Sequence, residues 1–162
     1  MTLTFDDIDK AMEYFEQKNF SEASEKDFLS KYPNFTSFLT SNQFDALTED
    51  EFLILMFDSL IVIKAYTDKL GSGIDAEQDL IESIETENWD KYEELGNMSF
   101  SEKVEIMMGK DQNELSDFII SSFEMEEEDN DENPDPEISL PAKEIIFITV
   151  KTISDSIKSV NK

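Results

Sequence analysis

Thr48 and Glu51 form a capping box with Leu47 and Phe52 on either side, and no glycine or proline follows until Gly71. In such a box the threonine hydroxyl takes the N3 backbone amide and the glutamate reaches back to the threonine amide, while the apolar pair staples the entering chain. A run opened in this way and closed by a glycine reads as one long helix, and the rest of the chain has to fold around it. Its most apolar part, Phe52 to Ile63, is twelve residues long and broken by Asp58 and Ser59. About 18 uninterrupted apolar residues are needed to span a bilayer, so a buried core helix is expected and a membrane is not an expected partner.

Other helix starts carry the same signature. Thr4 with Asp7, stapled by Leu3 and Ile8, opens a helix whose face is Ile8, Met12 and Phe15. Phe28, Leu29 and Tyr32, then Phe35, Phe38 and Leu39, make two short faces that meet at a corner at Pro33, because a residue before proline is driven away from helical geometry. Beyond a turn at Gly71 and Gly73 come two amphipathic turn-sets, Leu80, Ile81 and Ile84, then Trp89, Tyr92 and Leu95 up to Gly96. Ser99 with Glu102 caps a helix carrying Val104, Met107 and Met108 as far as Gly109. Asp111 with Glu114 caps the next, whose face is Leu115, Phe118, Ile119 and Phe123.

The last segment, Pro141 to Val160, is rich in β-branched residues and could on composition be a strand. Its periodicity decides for helix: Ala142, Ile146, Val150, Ile153, Ile157 and Val160 follow steps of four and three along one stripe. It is expected to pack against Phe52 to Leu70. Ile145, Phe147 and Ile148 lie off that stripe and need cover from elsewhere. No fixed repeat and no alternation of strand and helix patterns is present. The expected architecture is all-α, an irregular bundle of about seven or eight short helices around a long buried central one. A single domain over residues 1–162 is expected, with a disordered acidic loop at 124–140 before the final helix.

Charge limits the functions open to such a chain. It holds 39 Asp and Glu against 13 cations, all of them Lys, with no His and no Cys, for a net charge of -26. Without His or Cys there is no imidazole base, no thiolate nucleophile and no common zinc or iron ligand set, and without Arg there is no planar fork for phosphate. Four glycines form no phosphate-cradling pattern. An enzyme would have to work through Asp, Glu, Tyr and Lys alone, so no catalytic residue, cofactor or metal site is assigned. The Glu-x-x-His pattern of di-iron bundles is impossible here. The acidic run lacks the glycine and ligand order of a calcium loop.

The acid is partly localised. From Asp111 to Ala142 no cation occurs, whereas from Ile138 onward lysines exceed acids. Such a field repels nucleic acid and anionic membrane and draws a basic protein partner. The leading expectation is therefore a non-catalytic acidic binding protein, such as an immunity protein, an antitoxin or a nucleic-acid mimic. Glu124, Glu126, Glu127, Glu128, Asp129, Asp131 and Glu132 are its candidate partner-binding residues. Trp89, flanked by Asn88 and Asp90, is the aromatic residue most suited to an exposed contact. The alternative is a scaffolding module that self-associates through the C-terminal helix. Acid in place of a basic region within Met1 to Asp9 argues against a secretory leader, which leaves the cytoplasm as the expected location. Asp58 shares a helical face with Glu51, Ala65 and Lys69, so exposure or pairing is expected for it rather than burial.

Overall fold

A computed structural model describes residues 2–71, 73–110, 113–123 and 138–161. Among these the protein is all-α, with no strand. In chain order the helices are α1 (Phe5–Gln17), α2 (Glu22–Leu29), α3 (Pro33–Leu39), α4 (Glu49–Leu70), α5 (Gln78–Glu94), α6 (Phe100–Met108), α7 (Asn113–Ser122) and α8 (Leu140–Val160), with a 3-10 turn at Asn42–Phe44. The two capping boxes form as their sequences require, Thr4 with Asp7 at α1 and Thr48 with Glu51 at α4. The two turn-sets after Gly73 belong to one unbroken helix, α5.

Two helices share the centre. On α4 the six residues from Asp58 to Ile63 are all buried in succession, and on α8 so are the five from Ile146 to Val150. A helix buried on every side must be enclosed by several neighbours. α8 lies most extensively against α4 and α5, and α4 packs in turn against α1. This enclosure covers the residues off the main stripe of α8. Phe147 and Ile148 are fully buried, Phe147 meeting Phe100 of α6 edge to face at 6.1 Å, and Ile145 is half-buried against the core.

The enclosure also corrects the expectation for Asp58, which is wholly buried. The face it shares with Glu51 is covered by α7 and by the start of α8 instead of water. Ser122 of α7 lies with its Oγ 2.7 Å from Asp58 Oδ2. Glu51 is buried too, and its carboxylate serves two helices. Oε1 accepts the Thr48 amide at 2.9 Å, while Oε2 accepts the Ser139 amide at 3.1 Å and the Ser139 hydroxyl at 3.2 Å. Burial alone would raise its pKa, but the amides of Thr48 and Ser139 outweigh that and hold it below the ordinary value. Ser139 itself caps α8 and Ile138 is buried, so the final helix is anchored just before Leu140, inside the stretch expected as loop.

Glu51→Ala leaves the Thr48 and Ser139 hydroxyl caps in place but removes the carboxylate that accepts the Thr48 and Ser139 amides, and is expected to cost about 2 kcal/mol, roughly 1 kcal/mol for each amide left without its acceptor. Denaturant melts would measure it. The folded pKa of Glu51 is depressed, so its contribution is complete above the unfolded value and disappears as pH falls through the folded one. The mutant's deficit should therefore shrink in acid, and a deficit that stays constant with pH would contradict this account.

Two further ties hold helix ends to distant parts of the chain. Tyr32 gives α3 no side-chain cap, and Asp75 supplies it from the loop before α5, accepting the Asn34 and Phe35 amides at 3.2 Å each. Lys69 at the end of α4 donates to Asp7 at 2.9 Å and to the Thr2 carbonyl at 2.7 Å.

Candidate functional site

The acids of this surface differ in whether a cation answers them. Among the described residues Lys10, Lys26, Lys64, Lys69, Lys91 and Lys151 form ion pairs, and all of these except that of Lys69 join residues four apart on one helix, as Lys10 does with Asp6 and Lys151 with Asp155. Lys103 sits 4.3 Å over the Tyr92 ring and Lys64 sits 4.2 Å over Tyr14. These cations are engaged locally, beside acids or rings of their own neighbourhood. The acids lining two surface depressions are placed differently.

The first depression is a cleft of about 490 Å³ between α5 and the α3 end of the chain. Phe38 and Ile81 supply its apolar lining. Ser37, Ser41 and Gln43 line one side and Glu82, Glu85 and Thr86 the other, with no lysine among the lining residues. Glu82 and Glu85 are three residues apart, so α5 presents both carboxylates on one face. Burial, and then repulsion from Glu82, pushes the Glu85 pKa up. The Ser41 hydroxyl donates to the Phe38 carbonyl at 2.8 Å and accepts from the Gln43 amide at 3.0 Å, while the Thr86 hydroxyl donates to the Glu82 carbonyl at 3.0 Å and keeps its oxygen as an acceptor. A cleft lined by carboxylates and hydroxyl oxygens is suited to an ammonium or guanidinium group.

The second is a groove of about 670 Å³ along the outer face of α6. It combines two exposed apolar side chains, Met98 and Ile106, with the carboxylates of Glu102 and Glu105, and Lys110 lies at its end.

Of the residues singled out from sequence, Glu124, Glu126, Glu127, Glu128, Asp129, Asp131 and Glu132 lie outside the described residues. Trp89 is half-buried, packed against the core with its ring edge-on to Tyr92 at 6.0 Å. Beside it Asn88 is buried, donating to Thr152 and Asp155 of α8 at 3.2 Å each, so this part of α5 is fastened to the central helix. Tyr92 completes that seam by donating to Glu144, and burial, followed by the nearby Glu144 carboxylate, raises its pKa. Among the described residues no group of three acids converges as a metal site, and no helix is long and apolar enough to cross a membrane. No protein-family model, curated protein or solved structure matches the chain.

Sequence reasoning missed the α5 cleft. The acid pair Glu82 and Glu85 was available as a signal, since it stands beside Ile81 and Ile84 on an amphipathic helix. The opposite wall, from Ser37 to Gln43, comes from some forty residues earlier in the chain and only packing brings it there.

Proposed function

We propose that this chain is a non-catalytic binding protein that engages a basic protein partner through its acidic folded surface, as an immunity protein, an antitoxin or a nucleic-acid mimic does. The observation that carries the reading is the α5 cleft, where Glu85 is held against Glu82 with its pKa raised and with no lysine lining the site. Burial first, and then Glu82, disfavours the charged form of Glu85, and a cation arriving beside the two carboxylates offsets both effects. A net charge of -26 steers such a partner from a distance and turns away nucleic acid and anionic membrane. The cytoplasm is the proposed setting. The acids from Glu124 to Glu137 add to the steering field in this reading, while recognition resides in the folded face.

Self-association through α8 is the weaker alternative. Of Ile145, Phe147 and Ile148, which suggested it, Phe147 and Ile148 are covered inside the protein and Ile145 is half-buried against the core.

Calorimetric titration with a short arginine-rich peptide, at low salt and near physiological salt, tests the proposal. Glu82→Gln with Glu85→Gln should weaken binding at low salt by about three- to tenfold, roughly 1 kcal/mol for exposed charges. The effect should shrink at physiological ionic strength, where screening acts over about 8 Å. Replacing the acids of 124–137 by Ser and Gly should slow association modestly and mainly at low salt. If that replacement abolished binding at every salt concentration and the cleft variant did nothing, the acidic run would be the recognition element. Binding indifferent to salt and to both variants would overturn the proposal.

A further inference from the structure

The groove on α6 has a composition that simple charge steering does not explain. α6 buries Val104 and Met108, and its opposite face carries Glu102, Glu105 and Ile106. Ile106 is 53% exposed, and Met98, which reaches the same groove from the preceding turn, is 44% exposed. Solubility would be served by polar residues at both places. Two large apolar side chains in one groove, flanked by two carboxylates, match a ligand that is itself amphipathic.

We infer that this groove docks an amphipathic basic segment of the partner, an inference that rests on the basic-partner reading. An aliphatic side chain of that segment sits between Met98 and Ile106, and a Lys or Arg on the same segment pairs with Glu102 or Glu105. Lys103 does not compete for these acids, because it is engaged over the Tyr92 ring on the α5 side. Lys110 at the end of the groove sets a limit to where the partner's cations lie. A second copy of this chain is the poorer occupant, since each copy carries a charge of -26 and would have to bring its acids against these. Charge complementarity selects a basic occupant, and the apolar pair selects one with a hydrophobic stripe.

Two helical peptides of equal positive charge test this, one with leucines along a single face and one with serines in their place. The intact protein should bind the leucine peptide about tenfold more tightly, the worth of burying one to two aliphatic contacts. Met98→Ser with Ile106→Ser should reduce that advantage to nearly nothing and leave the serine peptide unaffected, while Leu53→Ser, an exposed apolar position on α4, should change neither. Both altered groove positions are exposed, so the variant should keep its helical circular dichroism. Equal affinity for the two peptides, or an advantage that survives in the groove variant, overturns the docking inference and leaves the basic-partner reading standing. Failure of both peptides to bind at low salt overturns that reading, and the groove inference with it. Sedimentation decides the occupant: a concentration-dependent mass that the groove variant loses would assign the groove to a second copy and overturn the inference.

Discussion

Ile61→Asp is expected to leave the chain unfolded at neutral pH. Ile61 is fully buried, in the middle of the six-residue stretch of α4 that is enclosed on all sides, and Leu60, Val62 and Ile63 beside it are as deeply covered. An aspartate there would be cut off from water. An unpaired charge in such a place costs several kcal/mol, against a total stability of about 5 to 15. The self-repulsion of a chain of net charge -26 reduces the margin further. Ile61→Val is the matching control and should cost only about 0.5 to 1.5 kcal/mol. Far-ultraviolet circular dichroism and a denaturant melt distinguish the two, and a cooperatively folded Asp variant would show that the core lies elsewhere.

Asp58→Asn should stabilise the protein, and increasingly so as pH rises. Ser122 Oγ stands 2.7 Å from Asp58 Oδ2 and 2.6 Å from the Ile119 carbonyl. The hydroxyl has one proton and cannot donate to both oxygens. Both contacts become hydrogen bonds only when Asp58 is a neutral acid donating to Ser122 while Ser122 donates to Ile119. Burial agrees with this, pushing the Asp58 pKa well above the ordinary carboxylate value against the smaller opposing effect of Ser122. Among the described residues Asp58 Oδ1 and Ser59 Oγ have no hydrogen-bond partner, so nothing there compensates an ionised form.

The direction follows from proton counting. Above the unfolded carboxylate pKa of about 4, the unfolded chain has released the proton that the folded chain still holds, so rising pH favours unfolding by up to about 1.4 kcal/mol per unit. The loss stops when pH passes the folded pKa of Asp58. An asparagine amide can donate to Ser122 in the same way and does not titrate. Subtracting the two stability curves cancels the opposing titrations of Glu51 and Asp7, whose pKa values are lowered. The difference should climb from about pH 4 and then level off, the plateau marking the folded pKa of Asp58. A difference that stays flat between pH 4 and 9 would mean that Asp58 holds the same charge in both states.

Asp58 also shows where a wheel drawn from sequence fails. The wheel correctly grouped it with Glu51, yet which wall covers that face depends on where α7 and the start of α8 come to rest. Tyr66 is a parallel case: its hydroxyl is held by Ser154 of α8 at 2.8 Å, and burial pushes its pKa up to about 12. Ser154 alone reads as an ordinary polar residue on a helix. Asp75 likewise reads as a loop acid until α3 comes to rest with its uncapped amides beside it.

What the sequence determined by itself was whatever depends on neighbours a few residues apart. The boxes at Thr4 and Thr48, the corner at Pro33 and the stripe from Ala142 to Val160 are local patterns, and local hydrogen bonding and side-chain periodicity are sufficient to place the helices they mark. Net charge belongs in the same category, since it is a sum over residues and independent of fold. That α8 packs against α4 was legible in its stripe, but only the tertiary structure decided that α8 is itself enclosed at the centre, that Phe147 and Ile148 are covered, that Asp58 is dry, and that Glu82 and Glu85 share a cleft with Ser37, Ser41 and Gln43. Each of these depends on which surfaces meet. Burial, desolvation and cleft formation are properties of pairs of surfaces far apart in the chain, so no window of sequence contains them.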